Sequence, residues 1–146
     1  MRFRRRKTGL TTCIEDLAAA LRAGAAGLDC AVAAVELLIG HGWWLDRDDF
    51  VAGFVEVVAA LGDGTPMAFV DWPRAAASLE RGRLACSSGE GQVLRLCASL
   101  AEGVPVDLAE ALTSLDAPMV VLVACAVLHA GGCPEAAHLL RDGDVR

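Results

Sequence analysis

The chain is punctuated from end to end by paired signals for starting and stopping helices. A Ser, Thr or Asp side chain can accept the free N–H groups of a first helical turn, and an acid three residues later can answer it. Thr12 with Glu15, Ser87 with Glu90 and Asp107 with Glu110 fit that rule, and Asp46 with Asp49 is a weaker case. At the last of these, Leu45 and Phe50 stand where a hydrophobic staple would close. Pro73 and Pro134 sit where a first turn accepts proline, since that turn needs no N–H there. Gly24, Gly40, Gly62, Gly82, Gly103, Gly131 and Gly143 mark helix ends. These signals predict seven or eight helices, over 12–23, 26–40, 46–61, 72–81, 88–101, 107–114, 117–130 and 134–141.

Apolar spacing supports this all-α reading. Leu28, Val32, Val35, Leu38 and Ile39 keep a period near 3.6, as do Val93, Leu94, Cys97, Leu100 and Ala101. The segment 117–130 is apolar on every side, through Met119, Val120, Val121, Leu122, Val123, Val127 and Leu128. A helix of that kind belongs in the middle of a bundle, so it is expected to be the central helix of a single compact domain. Only Met67 to Val70 looks extended, too little for a sheet. Residues 1–10 read as a mobile basic tail and 11–143 as the helical domain. The break Gly62-Asp63-Gly64-Thr65-Pro66 is the one point of subdivision.

Composition then limits the function. The hydrophobic fraction is 55% before glycine is counted, high for one helical domain, so a face for a partner or a second copy is expected. The net charge of −6 is unevenly placed: Arg2, Arg4, Arg5, Arg6 and Lys7 hold five of the 13 basic residues. The remainder carries 8 basic against 19 acidic side chains, a charge of −11, which disfavours a phosphate backbone. Nucleic acid or an anionic surface could be touched only by the tail, the alternative reading for this chain. The basic start lacks the apolar stretch of a secretory signal. The longest apolar run, Ala117 to Leu128, is 12 residues, too short to span a bilayer. A cytoplasmic protein with six reduced cysteines is the expectation.

Chemical motifs are sparse. Cys125, His129 and Cys133 recur every four residues, a spacing that could share a zinc ion, with His138 beyond. Cys125 lies in the most apolar segment, however, where cysteine acts as a small hydrophobe. Cys86-Ser87-Ser88-Gly89-Glu90-Gly91 lacks the Lys of a phosphate loop, and Glu90 would repel an anion. There is no Gly-x-Ser-x-Gly elbow, and no cofactor is implied. Asp46, Asp48 and Asp49 read as first-turn acids that complement the helix dipole. A helix-turn-helix over Asp107–Ala130 would insert a second helix without Arg or Lys, which cannot read DNA. Ala34 to Gly42 is similar to the end of an ankyrin repeat, but its Thr-Pro-Leu-His start is missing and no second copy follows. His41 is expected beside a helix C-terminus, where a cation is favoured. Trp43 and Trp44 are adjacent in a short loop, and one of them exposed would be an interface anchor; the competing reading folds both over the core. Trp72 reads as core.

Two stretches resemble a group of small helical proteins of unassigned function from high-GC bacteria. One is Ala34-Val35-Glu36-Leu37-Leu38-Ile39 with Trp44-Leu45 and Asp48-Asp49-Phe50. The other runs from Ser88-Gly89-Glu90 through Pro105-Val106-Asp107-Leu108 to Ala126-Val127-Leu128-His129-Ala130. The resemblance implies a shared fold, and a polar residue near Met119 that this chain lacks. The function expected is a protein–protein interaction module: an adaptor, a regulatory partner or a homo-oligomeric subunit. The alternatives are a nucleic-acid-associated regulator and a Cys/His metal protein or enzyme.

Overall fold

Ser87 closes a complete capping box. Its hydroxyl accepts from Glu90 N at 3.2 Å, and the Glu90 carboxylate accepts from Ser87 N at 2.8 Å. Asp107 caps through Glu110 N at 3.1 Å. Two more caps were not expected: Asp71 accepts from Arg74 N at 3.2 Å and Asp116 from Met119 N at 2.9 Å. Ser87→Ala should cost about 1 kcal/mol, read as a lower urea midpoint with an unchanged slope.

The computed structural model describes residues 14–59 and 62–143. The basic segment Arg2, Arg4, Arg5, Arg6 and Lys7, and the Thr12 cap, lie outside the described residues. Eight helices are present among those described: α1 (Ile14–Ala25), α2 (Asp29–His41), α3 (Asp48–Phe54), α4 (Trp72–Glu80), α5 (Ser88–Glu102), α6 (Leu108–Thr113), α7 (Ala117–Ala130) and α8 (Pro134–Arg141). None is long and apolar enough to cross a membrane.

The expected helix over 46–61 is divided. α3 ends at Phe54, and the chain continues as β1 (Val55–Ala59), antiparallel to β2 (Pro66–Val70). Val55 faces Val70, and Val57 faces Ala68. Three β-branched residues in five, Val55, Val57 and Val58, favour this strand. The Gly62–Pro66 break falls in the hairpin connection and reaches the first residue of β2; within it Thr65 N donates to Asp63 Oδ1 at 2.9 Å in an Asx turn. Asp46 does not start α3. Arg47 is its N-cap residue without a side-chain cap, and Asp49 is held by Arg47 instead.

The expected place of α7 is also corrected. α2 packs against α1, α5 and α7, whereas α7 rests mainly on α2 and α8. Only Val123, Cys125 and Ala126 of α7 are buried, against seven positions of α5. The centre therefore belongs to α2 and α5, and α7 is an outer helix with apolar residues on both its covered and its open face. Trp44, Phe50, Leu21, Leu37, Leu38, Leu94, Val93 and Cys97 are the largest fully buried side chains.

Candidate functional site

The cysteine and histidine cluster does not assemble. Cys125 is buried, and its thiol faces the Ala137 carbonyl at 3.5 Å. Cys133 is exposed at the start of α8, turned to the Gly131 carbonyl at 4.0 Å, and His129 is half-buried. Four-residue spacing fails because the helix ends between His129 and Cys133. A cleft of about 240 Å³ between α2, α7 and α8 is lined by Cys125, His129, His138, Glu36 and Arg141. Glu36 is occupied by Arg22 at 2.6 and 3.2 Å. Among the described residues no three His, Cys, Asp or Glu are grouped to hold a metal ion.

The tryptophan pair divides its labour. Trp44 is fully buried and its indole N–H donates to the Glu90 carbonyl at 2.9 Å, so it ties the α2–α3 connection to the first turn of α5. That corrects the expectation for Trp44 as an interface residue. Trp43 is half-buried and edge-on to Trp44, with centroids 4.9 Å apart. Arg47 stacks over both rings, at 4.9 and 5.2 Å. Its guanidinium also donates to the Ala85 carbonyl and pairs with Asp49. That pairing holds the Asp49 carboxyl below the usual carboxylate range. This is a structural clamp, in which the Trp44 indole N–H, the Arg47 guanidinium and the Asp49 carboxylate are already engaged.

His41 ends α2, as expected, but the burial of its ring pushes its pKa down. Its Nδ1 is buried without a hydrogen-bond partner. Burial opposes the charged form more than Glu90 and Asp116 favour it. The Cys97 thiol is likewise pushed up by complete burial, which removes its nucleophilic form.

Among the described residues, exposed apolar side chains gather in two places, with Leu28 standing apart from both. The first is the outer side of α7, where Val120, Val121 and Val127 are 39%, 42% and 56% exposed. Leu108 and Leu112 on α6 and Leu139 on α8, the helices that flank α7 in the chain, are exposed as well. The second is a groove of about 1130 Å³ between α1, α3 and the hairpin. Ile14, Leu17, Val51, Phe54, Val55 and Phe69 give it apolar walls. Sequence reading missed the groove because it depends on the hairpin. The one available signal was the alternation of Ala68, Phe69 and Val70, in which the aromatic ring takes the open side. No protein family, curated protein or solved structure matches the chain.

Proposed function

We propose that this chain is a protein–protein interaction module, and that the outer side of α7 joins it to a second copy of itself. The uncharged open face of α7 carries the reading. No charged residue occurs from Ala117 to Leu128, and the face is exposed where an isolated domain would place polar residues. Ala117, Val120, Ala124, Val127 and Gly131 follow each other at steps of three and four, the spacing of a helix–helix seam. Small residues at every second position let two backbones approach.

A two-fold interface must complement itself, since each patch meets its own copy. A face without charge meets that condition with no repulsion. Antiparallel crossing sets the N-terminal end of each α7 near the C-terminal end of the other, so that the two helix dipoles run in opposite directions.

Sedimentation velocity of the wild-type chain across a concentration series tests this. A concentration-dependent dimer is expected, with Val120→Glu/Val127→Glu monomeric at unchanged helical content. A wild-type monomer throughout, or a variant that still dimerises, would overturn the assignment to α7.

A further inference from the structure

We infer that the groove between α1, α3 and the hairpin captures an extended segment of a partner protein, basic and apolar by turns, as a third strand on β1. This rests on the interaction-module reading but not on α7, and the two faces are tested separately.

The first observation is a strand edge that no described strand covers. β1 pairs with β2, and no other described strand lies beside it. α1 packs along β2, while β1 contacts mainly β2 and α3. An uncovered edge presents a row of N–H and C=O groups that an extended chain can satisfy.

The second is that the groove begins at that strand. Val55, Glu56 and Val57 of β1 line it, with Phe54 and Val51 of α3 just before them. Phe69 stands 45% exposed on its wall, and Ile14 is also 45% exposed. An added strand would turn alternate side chains to opposite faces. One set would meet Val55, Val57 and Leu17, and the other would pass Glu56.

The third is charge. Asp16, Glu56 and Asp71 border the groove, and Arg74 is its one cation among the described residues. Arg74 is already engaged, 3.6 Å from Asp71 and stacked over Phe54 at 5.5 Å. Asp16 and Glu56 are exposed and free of any ion pair to a described residue. The rim is therefore set for a cationic partner, and the acidic field rejects nucleic acid.

The probe is a fluorescent seven-residue peptide of alternating Lys and Val, read by anisotropy with the full chain. Saturable binding is expected, with an alternating Glu and Val peptide and a block-ordered Lys/Val peptide failing to bind. Glu56→Lys should weaken binding about tenfold, equivalent to roughly 1.4 kcal/mol, at an unchanged circular dichroism spectrum. Methylating the peptide's backbone nitrogens at alternate positions should abolish binding in one register and spare it in the other. Absence of saturable binding overturns the proposal. Binding indifferent to Glu56→Lys removes the charge argument, and binding indifferent to methylation in both registers removes strand addition; either result refutes the mode proposed.

Discussion

Trp44→Ala is expected to lower unfolding stability by about 3–5 kcal/mol, the usual range for removing a buried aromatic ring. Three losses combine at this position. The ring is fully buried, so its deletion leaves a cavity that the neighbours fill only in part. Phe50, with its centroid 5.2 Å away, and Trp43, at 4.9 Å, lose the ring they pack against. The Glu90 carbonyl loses the indole donor that lies 2.9 Å away. A domain of this size has about 5–15 kcal/mol in total, so thermal unfolding should fall by on the order of 10–20 °C. Trp44→Phe separates the causes in part: it keeps most of the apolar contact and loses the hydrogen bond, worth about 1 kcal/mol net, together with the volume of the smaller ring. A midpoint for Trp44→Ala within error of the wild type would show that the α2–α3 connection does not depend on this ring.

The parts of the fold that were legible in the sequence are those decided by a few adjacent residues. Ser87 with Glu90 and Asp107 with Glu110 needed no tertiary context, because a cap is satisfied within its own turn. The positions of α5 and α8 follow from such local signals and that of α7 from its apolar run, within a residue or two. What was not legible depended on partners far along the chain. Val55, Val57 and Val58 follow α3 with no Gly or Pro between helix and strand, and only pairing with residues 66–70 makes them a strand. Asp48 and Asp49 are first-turn acids of α3, as the sequence indicates, but Asp49 is not half of a capping pair: Arg47, anchored on Ala85 and the two indoles, claims its carboxylate. The apolar content of α7 was visible, while its outer position was not, since composition does not say which of two apolar faces is covered. For the same reason the tryptophans could be named but not ranked, and the groove at the hairpin had no signature until β1 existed.

Gly24 carries the sequence signal of a helix end, yet it lies inside a helix. α1 continues to Ala25, and the residue is a glycine because β2 comes too close for anything larger. A Cβ at Gly24 would stand 2.2 Å from the Ala68 carbonyl oxygen, 3.2 Å from its carbon and 3.2 Å from Phe69 Cε1. The first neighbour is backbone inside a paired strand, so it cannot turn aside as a side chain would. Two effects therefore oppose each other in Gly24→Ala. Helix propensity favours alanine by about 1 kcal/mol. Overpacking a tight contact costs about 1–3 kcal/mol, and a contact this short against backbone belongs at the upper end. The clash should win, with a net loss near 2 kcal/mol and a weakened α1–β2 contact seen as faster amide exchange across the hairpin. Gly53 is the matched control. It lies in α3 and a Cβ there would meet nothing within 4 Å, so Gly53→Ala keeps the propensity gain alone and should stabilise by about 0.5–1 kcal/mol. Urea midpoints that move in opposite directions for the two variants would establish that α1 is seated on β2 by the missing side chain at Gly24. If both rise, the helix and the strand are further apart than 2.2 Å implies, and the wall of the groove that α1 forms would have to be redrawn.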